Sequence, residues 1–597
     1  MAFSLPLDVM PFVVLGVIAL LFVLLYSEVV KPTVSFLIAV LTLLLSGILS
    51  PRDVLEGFSN QSIASIVLII LITAGLRSNF NIEKFLDVLF GKSKSYKRFL
   101  ASMMSKVALL SSFVNNTPVV VLMTPYVFQW GKKNNISPSK LLIPLSYATI
   151  IGGMITIIGT STTLVLNGFL MKNNIEPINA IDLLIVGLTV AVFCLTFLFA
   201  ISNKLLPDKK DLIETFEGSK REYLIEKRIS KNSELIGKRV IDGGLRNLSG
   251  VYLVEIVRGH QLISPVNPNE IIEKNDILIF AGNTDKIVDL TLSKIGIELP
   301  AKLKTANTEP VRVVEAVISA NNSLIGKTIK EAKFRERYDA AVVAIHRNGE
   351  KLSGKIGWIE IKPGDVLLMY VGNTFINRVS VYKDLYIISG DQTISTPNNA
   401  SRWKLPILLS LISILLISQV FALFQSLLII FSAMVLMKLV TLQNVKRDLD
   451  INLVVILVLS LAIGQAMVNT GSGALIAHEV VNYLHPFGNI AVLIGIAVIT
   501  TILTSFITNV GAVAIAFPLA LAATSNLGIN GAPFYLAVAF SASAAFLTPI
   551  GYQTNLIVFG PGGYKFKDFL KIGLPVTVLY LTVALVSIVL LYPEVFN

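Results

Sequence analysis

Apolar runs follow one another along most of this chain, most of them roughly 17–25 residues long and so able to cross a hydrocarbon core about 30 Å thick as helices. They lie near 9–26, 32–49, 62–76, 141–171 and 181–205, and again near 404–421, 423–440, 451–468, 533–559 and 569–592. Each set of five also holds one apolar segment interrupted by polar residues, at about 101–130 and about 490–524, and the first set carries a basic amphipathic stretch at 77–100. The pattern predicts an α-helical polytopic membrane protein built twice over, with one membrane repeat in residues 1–206 and a second in 401–597. The run Pro11 to Tyr26 follows Asp8 rather than a basic segment and precedes no small-residue cleavage site, so it reads as a retained span.

The residues repeat along with the hydropathy. Ser112-Phe113-Val114-Asn115-Asn116 aligns with Ser505-Phe506-Ile507-Thr508-Asn509 at an offset of 393, and Ile158-Gly159-Thr160-Ser161-Thr162-Thr163-Leu164 aligns with Ile550-Gly551-Tyr552-Gln553-Thr554-Asn555-Leu556 at 392. Two separate motifs at nearly one offset point to an internal duplication.

Composition agrees: of 597 residues, 54% are hydrophobic and 15% charged, which excludes an ordinary soluble enzyme. Residues 207–400 hold 28 Lys/Arg and 25 Asp/Glu, so the charged third of the chain is close to neutral and the basic excess lies beside the spans. That is where the positive-inside rule expects it, and it gives no reason to invoke nucleic acid.

With the N-terminus outside and each interrupted segment entering and leaving by one face, 19 Lys/Arg fall on the cytoplasmic side, among them Lys97, Arg98, Lys132, Lys133, Lys565 and Lys567. Two, Arg52 and Lys172, fall outside. Five net crossings per half make the halves antiparallel, the inverted-topology repeat of secondary transporters. Both termini then lie outside the cell membrane and residues 207–400 in the cytoplasm.

The charged segment has its own duplication with a period of 89: Leu235-Ile236-Gly237-Lys238 recurs as Leu324-Ile325-Gly326-Lys327, and Asp276-Ile277-Leu278 as Asp365-Val366-Leu367. Short β-branched runs closed by Gly-Asn-Thr predict two small α+β domains, at 207–300 and 301–400. They resemble the C-terminal domain of the regulatory subunits that gate potassium transport, called TrkA-C or RCK-C. The companion nucleotide-binding half would need a strand-flanked G-x-G-x-x-G, which 207–400 lacks. No catalytic constellation appears there either, so regulation is the expected role.

Inside a membrane a helix can break only where its freed backbone groups face protein or a water-lined cavity. Four such breaks stand at 111–118 (SSFVNNTP), 159–163 (GTSTT), 504–511 (TSFITNVG) and 548–555 (TPIGYQTN), related in pairs by the repeat. Ordinary packing through Ser, Thr, Gly and Asn would explain any one of them. Four in paired positions point instead to a binding volume near the midplane. Residues 107–131, 141–171 and 490–564 contain no Lys, Arg, Asp, Glu or His. A proton relay normally needs such a group, whereas neutral oxygens suit an alkali cation, and amide donors with half-helix N-termini suit an anion. A sodium ion would supply the counter-charge.

The paired breaks resemble those of the divalent-anion/sodium symporters, the family of sodium-coupled sulfate and dicarboxylate carriers, which bear a Ser-Asn-Thr triplet at the tip of each of two re-entrant hairpins. The ending Gly551-Tyr552-Gln553-Thr554-Asn555-Leu556 with Gly560-Pro561-Gly562-Gly563-Tyr564 is similar to the branch with cytoplasmic RCK-C insertions. The resemblance implies an inverted-repeat transporter with two re-entrant hairpins, an elevator motion, a homodimer, and sodium as coupling ion with no other cofactor. It implies one sodium site at Ser111, Asn115, Asn116 and Gly159 and its mirror image at Thr504, Thr508, Asn509 and Gly551. The anion would touch Asn116, Thr117, Thr160, Thr508, Asn509 and Tyr552. Asn115 replaces the triplet's serine, and Val510 replaces its second threonine, so a hydroxyl is missing where a dicarboxylate carrier would bind a carboxylate. A compact oxyanion such as sulfate is therefore expected.

Other readings stay open on sequence alone. A dicarboxylate symporter is one; a cation/proton antiporter of the same superfamily is another, kept alive by Asp182 and Glu479 near span ends. An RCK-regulated potassium channel would need a T-V-G-Y-G filter, which is missing. His478 and His485 are expected in an outer loop and His260 and His346 in the middle segment, with no metal site besides sodium. Trp130 and Trp403 read as interface anchors, stretch 84–98 as a helix on the lipid surface, and the single cysteine, Cys194, as a packed thiol.

Overall fold

The structure, a computed structural model, describes most of residues 6–79, all of 95–209, most of 224–282, residues 297–298, most of 313–389, residues 423–440, and 451–596 except Ile550. His260, Trp403, the expected span 404–421 and residues 84–94 of the basic stretch lie outside the described residues.

The first half runs α1 (Met10–Ser27), α2 (Pro32–Leu45), α3 (Pro51–Leu55), α4 (Gln61–Asn79), α5 (Tyr96–Ser111), α6 (Asn116–Lys133), α7 (Leu142–Gly153), α8 (Ser161–Lys172) and α9 (Ala180–Leu205). The middle holds β1 (Leu224–Ile229), β2 (Val251–Arg258), β3 (Gln261–Ile263), β4 (Ile277–Gly282) and β5 (Ile297–Glu298). It continues with β6 (Val313–Ile318), α10 (Phe334–Tyr338), β7 (Ala340–Arg347), β8 (Glu350–Lys351), β9 (Val366–Val371) and β10 (Leu385–Ser389). The second half runs α11 (Leu423–Leu436), α12 (Ile451–Thr470), α13 (Ser472–Leu484), α14 (Asn489–Phe506), α15 (Asn509–Leu527), α16 (Ala532–Ser543), α17 (Gln553–Phe559), α18 (Phe566–Leu591) and α19 (Pro593–Phe596).

Helices of the two halves match in order, and three pairs match in length: α2 and α11 have 14 residues, α7 and α16 have 12, and α9 and α18 have 26. A proline stands inside α6 at Pro125 and inside α15 at Pro518, again 393 apart. Packing between the halves is reciprocal. α2 lies on α12 as α11 lies on α4, α6 on α17 as α15 on α8, and α9 packs against α18. Self-complementary pairing of this kind is what a two-fold internal repeat requires.

Among the described residues, four helices are long and apolar enough to cross a membrane, and α12 with α13, bent by 70° at Gly471, forms a fifth candidate. Several expected spans are shorter than their hydropathy suggests. The span expected at 32–49, for instance, is helical only over Pro32–Leu45, and the short α3 that follows it is started by Ser50, whose hydroxyl and backbone N–H form a capping box with Asp53. α13 was missed by hydropathy because it is amphipathic, with His478 and Glu479 exposed along it. His478 therefore belongs to a helix, where Asn482 bonds its ring, and not to a loop.

Polar bonds tie the halves at depth. Tyr147 donates to Phe546 O at 2.6 Å, Ser146 to Asn555 Oδ1 at 2.8 Å, and Ile143 N–H to the Tyr564 hydroxyl at 3.1 Å. Where the chain leaves α9, Lys209 donates to Gly563 O and Asp568 at 2.6 and 2.7 Å. Hydrogen bonds from Lys140 and Ser137 hold the neighbouring Asp208 carboxyl below its usual range.

Among the described residues, the middle segment forms two five-stranded antiparallel sheets, in the orders β3-β2-β4-β1-β5 and β8-β7-β9-β6-β10. These are one topology displaced by 89 residues. A bulge falls at Leu253/Glu255 in the first and at the equivalent Val342/Ala344 in the second. The repeated Asp276 and Asp365 are fully buried carboxylates, satisfied by Arg258 and Arg347 at 3.0 and 2.7 Å. Each pair closes its sheet onto the following turn. His346 is buried on β7.

Candidate functional site

In each half a helix stops, turns through a few residues and restarts. α5 ends at Ser111 and α6 begins at Asn116; α14 ends at Phe506 and α15 begins at Asn509. The restart is set locally by capping. Asn115 Oδ1 accepts from Thr117 N–H at 3.3 Å, and Thr508 Oγ1 accepts from Gly511 N–H at 3.2 Å. Thr160 caps α8 in the same way, accepting from Thr162 N–H at 3.4 Å. Each of these oxygens thus already spends one lone pair on the backbone.

Behind the tips, the buried Ser111 hydroxyl donates to Asn116 Oδ1 at 2.6 Å. Its repeat mate does likewise: buried Thr504 Oγ1 lies 2.9 Å from Asn509 Oδ1 and 2.6 Å from Ala542 O. The two glycines are packed against carbonyls that the repeat makes equivalent, those of Ser111 and Thr504. A Cβ on Gly159 would stand 2.7 Å from Ser111 O and 2.5 Å from Gly153 O; one on Gly551 would stand 2.9 Å from Thr504 O. Ser111, Asn116 and Gly159 therefore come together in one half, and Thr504, Asn509 and Gly551 in the other. Each cluster brings amide, hydroxyl and carbonyl oxygens close together.

One tip reaches across to the opposite half. Asn116 Nδ2 donates to the Tyr552 hydroxyl at 3.1 Å, and Thr117 Oγ1 donates to Gln553 Oε1 at 3.3 Å. On the other side, Val510, 5% exposed, stands where Thr117 stands and has no polar atom to offer. The lining is thus asymmetric at one position although the backbone repeat is regular.

Sequence reasoning missed three residues. Thr156 donates to Ser112 O, and its mate Thr548 donates to Ser505 O at 2.6 Å, so each hydroxyl satisfies a carbonyl freed where α5 or α14 ends. Their spacing of 392 is that of the second repeated motif, and this was the available signal. Gln553 was passed over as a member of the motif with no assigned role. Among the described residues, no cluster of His, Cys, Asp or Glu could hold a transition metal.

The sequence model of a family described as citrate transporter matches residues 22–496 and 413–597. A putative sulfur deprivation response regulator of Chlamydomonas reinhardtii is 32% identical over 92% of this chain and 96% of its own length. An uncharacterized transporter of Synechocystis is 28% identical over 94% of this chain and 93% of its own. Sodium/sulfate cotransporter 2 of Chlamydomonas reinhardtii is 29% identical over 59% of this chain and 42% of its own.

Proposed function

The chain belongs to the citrate transporter family, a family of multi-pass membrane transporters rather than enzymes, and from that premise we propose that it is a sodium-coupled symporter of sulfate. The observation that carries this reading is the paired set of oxygen-lined breaks. Ser111, Asn116 and Gly159 on one side and Thr504, Asn509 and Gly551 on the other offer neutral hard ligands to sodium. The Chlamydomonas relatives named sodium/sulfate cotransporters support the choice of ion and anion.

In this reading α5–α6 and α14–α15 are re-entrant hairpins, and the anion lies between their tips. There Asn116, Thr117, Thr160, Thr508, Asn509 and Tyr552 meet it, with sodium bound behind each tip. The unit bearing the hairpins moves against a scaffold in an elevator cycle, the chain works as a homodimer, and the two β units act as RCK-C-like domains on the cytoplasmic side. Asn115, Thr160 and Thr508 also fix helix starts.

Citrate or another carboxylate is the second reading, favoured by the family's description. Val510 discriminates between the two. A long dianion spanning both tips would set a carboxylate beside an apolar side chain, and a buried charged acceptor without a donor is strongly disfavoured. Sulfate can be held by Asn116, Thr117, Asn509 and backbone N–H groups alone. Changing Val510 to Thr should raise the competition of succinate against labelled sulfate by about tenfold, the worth of one hydrogen bond to a charged group. A wild-type protein that takes up citrate or succinate in preference to sulfate, thiosulfate and phosphate would replace the first reading with the second.

A further inference from the structure

The two β units differ in what they touch. The first buries Ile229, Leu253, Ile256 and Leu278 in a core of its own. The second is buried on both faces. Side chains alternate along a strand, and Ala316, Ile318, Leu367, Met369 and Leu385 face that unit's own core. Val317, Val366 and Ile388, at most 1% exposed, instead join the buried cluster of the membrane helices. Glu315, two residues from Val317, and His346, paired with Val366, are buried on that same face, so the sheet is covered on both sides.

The cover is made by the helices of the candidate site. β10 lies along α6. At the end of α17, a Cβ on Gly560 would stand 2.3 Å from Val366 Cγ2 and 2.9 Å from Gly364 O. Gly364, held at a left-handed φ of +79°, leaves a Cβ only 2.8 Å from Leu556 Cδ1. Glycines are needed on both sides for so close an approach. Packing of this density, continuous with the core, resembles a domain interior rather than the wetter, more polar surface of parts that separate. Arg335 of the second unit donates to Val266 O and Leu253 O of the first at 2.7 and 3.0 Å, so the first unit hangs on the second.

We propose that the second β unit is fixed to α6 and α17 and travels with them as one body, so that anything acting on the β units acts directly on the helices bearing Asn116, Thr117, Tyr552 and Gln553. The proposal deepens the symporter reading and rests on it in one respect, that α6 and α17 belong to the moving unit. A β unit that had to release its grip in each cycle is the arrangement it excludes.

Two measurements on the full-length protein test it; the native Cys194 is buried, so introduced thiols can be addressed singly. In the first, Val366→Cys and Gly560→Cys are cross-linked in proteoliposomes. Sodium-driven sulfate uptake should be the same in the oxidised and reduced forms, and uptake that stops on cross-linking and returns on reduction would overturn the proposal. The second needs no transport and keeps Gly560 native, so it answers even if the cross-linking pair fails to fold. Spin labels on the exposed positions of Lys362→Cys and Lys133→Cys should report one distance, unchanged by sodium, by sulfate or by both. A distance that splits or shifts with ligand overturns the rigid joint. An invariant distance in a protein that never takes up sulfate leaves the joint standing and removes the sulfate reading.

Discussion

Replacing Asn116 with alanine is expected to weaken sodium-dependent uptake more than any other single amide removal. Its Oδ1 accepts from Ser111 and its Nδ2 donates to Tyr552, a bond between a tip of one half and the break of the other. Alanine would take an acceptor from the buried Ser111 hydroxyl and a donor from the Tyr552 hydroxyl, and would remove a ligand from both the proposed sodium site and the proposed anion site. One such loss costs about 1–3 kcal/mol, or up to roughly a hundredfold in apparent affinity. Asn509→Ala, which removes an acceptor for Thr504, should fall in the same direction with a smaller effect. Initial rates against sodium concentration, at matched reconstituted protein, check this. Normal sodium affinity in both variants would remove the paired sites.

Gly159→Ala should be the more damaging of the two glycine substitutions. The added methyl would lie 2.5 Å from Gly153 O and 2.7 Å from Ser111 O, both backbone atoms that cannot swing away. At Gly551 the nearest approach is 2.9 Å to Thr504 O, which a smaller shift relieves. Overpacking against a fixed wall costs about 1–3 kcal/mol, and here it would also displace the carbonyl proposed to face sodium. The expected result is a lower melting temperature in detergent and loss of uptake for Gly159→Ala, with Gly551→Ala intermediate in both. Equal and near-normal behaviour of the two would contradict the close packing.

The architecture was legible because hydropathy and repetition are coarse, additive signals. Helices end and restart within the breaks named at 111–118 and 504–511, with new starts at Asn116 and Asn509, and the period of 89 appears as two sheets of one topology. Helix α13 was hidden because an amphipathic segment averages to an unremarkable hydropathy. The Ser111–Asn116 and Thr504–Asn509 pairs were readable as candidates because each joins residues five apart around a break. The Thr117–Gln553 bond was not, since it joins residues 436 apart and depends on how α17 lies on α6. The covered face of β6, β9 and β10 was equally hidden. Val317, Val366 and Ile388 look like ordinary strand residues until the helices that bury them are placed.

The most direct measurement is uptake of labelled sulfate into proteoliposomes holding the purified protein, under an inward sodium gradient and under a matched potassium gradient at the same ionic strength. The account predicts accumulation above equilibrium with sodium alone, competed by thiosulfate and weakly by succinate. Uptake that is indifferent to the cation, or that follows a proton gradient instead, would contradict it.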